Sequence, residues 1–147
     1  MKILLPQLLI VKTINVMLPY TFQELRDRLK HEIEKYGKIF IAFDFDNTIF
    51  DYHNQGKDYS EIISLLKKCS DQGHTLILFT SNDDKERLEF MMLYCKHFGI
   101  KVKYVNENPE VEALKNCKKP YYNILLDDRG GLLESYQILS SVIGENE

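Results

Sequence analysis

Residues 39–51 read IFIAFDFDNTIFD, and the order of side chains in this stretch decides how the chain folds. Ile39 to Phe43 is a continuous apolar run rather than an alternating one. That is the pattern of a strand covered on both faces, and hence of a central strand in a parallel sheet. Asp44, Asp46 and Asp51 follow at once. Carboxylates at the end of a buried strand repel one another and resist burial, so the stretch requires a partner that the apolar run does not supply.

Outward from this strand the same alternation recurs. Upstream, TFQE (Thr21 to Glu24) is a capping box opening a helix to about Tyr36, with Phe22, Leu25, Leu29 and Ile33 at helical spacing and Gly37 as its stop. Downstream, DYSEIISLLKKCSDQG predicts a helix capped by Asp58 with Glu61 completing the box, and HTLILFTSN predicts a second buried strand. Asn82 is the expected cap of a helix from Asp83 to about Phe98, and IKVKYV an alternating strand nearer a sheet edge. NENPEVEALKNC predicts a helix with Asn108 as cap and Pro109 at its first position. YYNILLDD is another buried strand, and GGLLESYQILSSVIG a closing helix ending at Gly144. Strands and helices joined by short connections predict an α/β fold: a Rossmann-like open sheet, mostly parallel, with helices on both faces.

The 147 residues, 44% of them hydrophobic with 7 Gly and 4 Pro, suit one globular domain over residues 21–147. Residues 1–20 read as an N-terminal extension, with Met17 as an alternative start. Its apolar run is broken by Pro6 and Lys12 and falls short of the roughly 20 apolar residues of a membrane span, so no membrane partner is expected. A formal net charge of -3 leaves no broad basic footprint, and nucleic acid enters only as a phosphorylated substrate. Cys69, Cys95 and Cys117 lack CxxC spacing, as reduced thiols in a cytoplasmic protein do.

Polar residues collect at the strand ends: Asp44 after the first, Thr80 and Ser81 after the second, Asp127 and Asp128 after the last. In an open α/β sheet ligands bind outside these carboxyl ends. If the first strand lies between the other two, the residues converge in one crevice. Three or more carboxylates there raise one another's pKa unless a cation is present. Oxygen donors without His or Cys at ligand spacing favour Mg²⁺ over zinc.

DFDNT resembles the first motif, DxDxT, of the haloacid dehalogenase superfamily, LILFTSN is similar to the second, and ILLDDRGG to the fourth. The third motif is a Lys shortly before the last strand, for which KNCKKPYYN offers Lys119 first, then Lys118, with Lys115 also present. The likeness runs from about Lys38 to the end of the chain. It implies a Mg²⁺-dependent phosphomonoester hydrolase in which Asp44 attacks phosphorus to form an aspartyl-phosphate. Asp46 would serve as acid and base. Mg²⁺ would be held by Asp44, the main-chain carbonyl of Asp46 and Asp127, with Asp128 acting through water. Thr80, with Ser81 and Asn82, would bind phosphoryl oxygens, and the Lys would offset transition-state charge.

Neither stretch where family members insert a cap domain has room for one here, which implies an open site. Its substrate is a small or macromolecular phosphate ester, and a neighbouring subunit of a homo-oligomer could serve as lid. The alternative is a non-catalytic phosphate-binding or regulatory module on the same fold. The blander expectations are a structural Thr48 holding the turn that presents Asp46, a solvated Asp51, an Arg129 in a surface ion pair, a loop His53, and Phe90, Tyr94 and Phe98 in the core.

Overall fold

The computed structural model describes residues 17–144, so most of the expected N-terminal extension, residues 1–16, lies outside the described residues. Helix α1 (Phe22–Tyr36) opens on the expected capping box: the Thr21 hydroxyl accepts from the Glu24 amide at 3.2 Å, and the Glu24 carboxylate accepts from the Thr21 amide at 2.7 Å. Gly37 closes it at φ 77°, a left-handed conformation that costs glycine nothing sterically.

The chain continues through β1 (Phe40–Asp44), α2 (Ser60–Asp71), β2 (Thr75–Phe79), α3 (Lys85–His97), β3 (Val102–Val105), β4 (Ile124–Leu126) and α4 (Leu132–Ile143). The four strands form one all-parallel sheet in the order β3-β2-β1-β4. The α/β fold and parallel open sheet expected from the sequence are therefore present. The strand leading into DFDNT lies inside the sheet, and the alternating IKVKYV strand lies at an edge.

Strand alternation divides the core in two. Ile41 and Phe43 of β1, with Leu76 and Leu78 of β2, pack against Leu29, Leu66, Met91 and Leu139, which come from α1, α2, α3 and α4. The opposite face holds a small cluster of Ala42, Ile77 and Tyr104, with Phe40, Phe79 and Leu125 against it. The connection from β3 to β4 must cross the sheet, because these strands are its opposite edges. Its Tyr121 and Tyr122 rings meet Phe40 and Phe79 edge-on, at 5.8 and 5.9 Å between centroids.

This crossover corrects one expected element. Only a single 3-10 turn, Glu112–Leu114, forms where a helix from Asn108 was expected. The Asn108 side chain is committed elsewhere: its amide donates to the carbonyls of Cys117 and Lys119, both at 3.1 Å, and its oxygen accepts from the Tyr121 amide at 2.8 Å. A side chain that ties together residues nine to thirteen positions ahead cannot also cap a helix starting beside it.

Two other helix starts differ by a residue or two. Asp84, not Asn82, caps α3 by accepting from the Arg87 amide at 2.9 Å, while Asn82 accepts from the Asp84 amide at 3.0 Å. Asp58 accepts from the Ser60 amide at 2.9 Å, but Glu61 accepts from the Tyr136 hydroxyl at 3.4 Å instead of closing a box. Phe90 and Phe98 also depart from the expected core, being partly exposed, whereas Tyr94 donates its hydroxyl to the Ile49 carbonyl at 3.0 Å.

Asn108→Ala is expected to lower stability by about 1 kcal/mol, the net worth of hydrogen bonds that water can partly replace at an exposed site. Hydrogen exchange should accelerate across residues 108–121 and stay unchanged in β1 and β2. Uniform acceleration would show that the crossover does not depend on this side chain.

Candidate active site

Sheet register builds the site. Asp44 lies level with Phe79 of β2, and Phe43 with Leu126 of β4, so Thr80 and Asp127 emerge beside Asp44 on one rim. One oxygen from each of Asp44, Asp127 and Asp128 lies within 4.8 Å of the others, an arrangement that could hold a metal ion. The donors are all carboxylate oxygens, which fits a hard divalent cation.

Thr48 organises this group more directly than expected. Fully buried, its hydroxyl donates to Asp44 Oδ2 at 3.1 Å and accepts from the Asp128 amide at 3.1 Å. It thus ties the β1 carboxylate to the loop after β4, rather than serving only the turn at Asp46. That turn is held by the Phe45 carbonyl, which accepts from the amides of Thr48, Ile49 and Phe50, with Asn47 at φ 61°. Asp127 Oδ1 accepts from the Arg129 amide at 2.9 Å. A Cβ on Gly130 would sit 3.3 Å from the Asp127 Cβ, so glycine admits the tight turn behind that carboxylate.

Burial pushes the Asp44 carboxyl up to about 7, and the Asp127 charge adds to the shift, against the stabilising Thr48 hydroxyl. A carboxyl raised mainly by burial, with a second carboxylate beside it, is a group that a nearby cation would return to its charged form.

A cavity of about 930 Å³ opens over the rim, lined by Asp44, Asp46, Thr80, Ser81, Asn82, Lys118, Asp127 and Asp128 among others. Nearly all the expected site residues thus share one space. Lys119 is the exception: Lys118 lines the cavity and Lys119 does not, while the Lys119 carbonyl accepts from the Asn108 amide at 3.1 Å. The Asp46 side chain lies outside the three-carboxylate group and pairs instead with Arg87 at 2.7 Å. Arg129 and His53 also line the cavity, and Arg129 makes no ion pair among the described residues. Asp51 is not merely solvated, since its carboxylate accepts from the Gln55 and Gly56 amides at 3.0 and 2.7 Å.

Two residues of the site carried no clear signal in the sequence. Asn106, at φ 54° just after β3, accepts from the Thr80 amide and donates to the Thr80 carbonyl, both at 2.8 Å. It holds Thr80 at the rim as a neighbouring strand would. An Asn directly after a strand was the available hint. Arg87 sits in the mixed-charge start of α3, which looks like any exposed helix face.

No family model matches the chain, and no curated protein does. Among solved structures the chain is similar to a conserved protein from Bacteroides thetaiotaomicron, at 25% identity and a TM-score of 0.57, over 75% of this chain and 93% of that one. No helix among the described residues is long and apolar enough to cross a membrane.

The raised Asp44 carboxyl predicts how stability varies with pH. Between the ordinary value of 3.8 and about 7 the folded chain binds more protons than the unfolded chain. The stabilising contribution is complete below the lower value and is lost as pH rises through the upper one. Without divalent cation, the unfolding midpoint should fall as pH rises across that window. Asp44→Asn should flatten the fall and gain about 1–2 kcal/mol above it, after allowing for a half-solvated group. Denaturant melts across pH, with and without Mg²⁺, check this; an unchanged slope in the variant would contradict it.

Proposed function

We propose that the chain is a Mg²⁺-dependent phosphomonoester hydrolase of the haloacid dehalogenase type, working through an aspartyl-phosphate at an open, capless site. The observation that carries this reading is the three-carboxylate group of Asp44, Asp127 and Asp128, with Thr80 and Lys118 on the wall of the same cavity. A cluster of acids alone would suit many cations. Acids facing a hydroxyl and an ammonium suit a cation together with a phosphoryl group.

Asp44, Asp127 and Asp128, with the Asp46 carbonyl, would hold Mg²⁺, whose charge lets an anionic nucleophile approach an anionic ester. In the first half-reaction an Asp44 oxygen bonds to phosphorus as the bond from phosphorus to the ester oxygen breaks. Asp46 gives its proton to the departing oxygen. In the second, Asp46 takes a proton from water as the water oxygen bonds to phosphorus. The bond from phosphorus to Asp44 then breaks, and the carboxylate is restored.

Thr80 accepts from the Asn82 amide at 3.1 Å, which leaves its own proton free to bind a phosphoryl oxygen. Lys118 takes the charge-offsetting role in preference to Lys119, because it is the one of the two that lines the cavity. The cavity's open mouth suits a phosphate presented on a larger molecule as readily as a small ester, a nucleic-acid end included. A second copy of the chain could serve as its lid.

The test is release of p-nitrophenol from its phosphate ester. Turnover should require Mg²⁺ and vanish in Asp44→Asn, while Asp46→Asn should lower it by about 10²-fold or more. Lys118→Ala should cost more than Lys119→Ala. Absence of turnover in the wild-type chain, with phosphate still bound in the presence of Mg²⁺, would favour a non-catalytic phosphate-binding module.

A further inference from the structure

We propose that Arg87 is the positioning residue for Asp46, holding the acid-base carboxylate at a fixed place over the cavity; this role rests on the hydrolase reading above. Arg87 Nη2 donates to Asp46 Oδ1 at 2.7 Å, with both side chains about three-quarters buried. The distance is that of a charge-assisted hydrogen bond rather than a loose surface pair.

The guanidinium is itself held. Its carbon lies 5.0 Å from the Phe90 ring centroid, 5.2 Å from Phe50, 5.6 Å from Phe45 and 5.9 Å from Tyr52. A planar cation surrounded by ring faces and edges has few other orientations. Phe45, Phe50 and Phe90 also contact one another at 5.4 to 6.0 Å between centroids, so the enclosure is part of the packing and not a chance of surface rotamers.

The elements that meet here explain why such a fastening is useful. Asp46 stands on the turn after β1, outside the sheet's hydrogen bonding, whereas Arg87 belongs to the first turn of α3. That helix starts five residues after Thr80 and is capped by Asp84, which accepts from the Arg87 amide at 2.9 Å. One side chain therefore links the acid-base turn to the helix that follows the phosphoryl-binding rim. With Oδ1 fastened, Oδ2 is the oxygen left to exchange a proton with substrate or water. Arg87 itself does not line the cavity, which distinguishes it from a phosphate-binding cation.

The experiment is steady-state kinetics on p-nitrophenyl phosphate with Mg²⁺. Arg87→Met keeps the stem among the rings and removes the fork; kcat should fall about 10- to 100-fold with KM within twofold. Arg87→Lys should recover part of the loss, and it carries the test if Arg87→Met does not fold. In an Asp46→Asn background, Arg87→Met should cost almost nothing more, because the residue it positions is gone. Thermal melts and Mg²⁺ titration of each variant separate this effect from loss of the fold.

Wild-type kcat in Arg87→Met, a rise in KM alone, or full additivity with Asp46→Asn would each overturn the positioning role and leave the hydrolase reading intact. An inactive wild-type chain would overturn the hydrolase reading and this role with it.

Discussion

Bringing oxygens of Asp44, Asp127 and Asp128 within 4.8 Å of one another is unfavourable at neutral pH, and the rest of the fold is arranged to sustain it. Two of these residues lie more than eighty positions from the third in the chain. Only a rigid frame keeps like charges at such separations, and the frame is the register of three adjacent parallel strands. The cost appears in the Asp44 carboxyl, pushed up to about 7 by burial and by its neighbour. The Thr48 hydroxyl offsets part of it, donating to one carboxylate and accepting from the backbone of the loop that carries another.

The frame is strong on one face of the sheet and slight on the other. Helical side chains from all four helices close over Ile41, Phe43, Leu76 and Leu78. The opposite face depends on Tyr104, a pair of tyrosines in the crossover, and an asparagine that binds three backbone groups of that segment. This lightly built crossover is also the segment that brings Lys118 to the cavity. Asn106 stands at its start and gives Thr80 both of the hydrogen bonds that an adjacent strand would have supplied. Side-chain amides therefore do, on the thin face, what helices and strands do elsewhere in the molecule.

Packing and chemistry meet again at the turn after β1. The same buried Phe45 that anchors the turn through its carbonyl also presents its ring to Arg87, and Arg87 reaches Asp46. Aromatic residues that look like plain core in a list of hydrophobic positions thus set the orientation of a charged pair. Phe45 is fully buried, whereas Phe90 and Tyr52 are exposed, Tyr52 on the wall of the cavity.

Much of this was legible from residue order alone. Unbroken apolar runs in KIFIAFD, HTLILFT and YYNILL announced strands buried on both faces, which need parallel pairing. Where helices were expected on both faces, helical side chains cover one and the crossover covers the other. Thr21, Glu24 and Gly37 announced the limits of α1 because capping and left-handed stops depend on neighbours within four residues. The acids and Thr80 could be assigned to one rim because strand ends in such a sheet all point the same way, whereas the lysines, which precede the last strand, were offered only by the family resemblance. What depended on distant partners could not be read in this way. Asn108 looked like a helix cap until Cys117, Lys119 and Tyr121 claimed its hydrogen bonds. The sequence put Lys119 ahead of Lys118, whereas along the crossover it is Lys118 that lines the cavity. Arg87 was one charge among many until the fold set it opposite Asp46, forty-one residues away, because a local pattern records a residue's period and not the partner that folding brings to it.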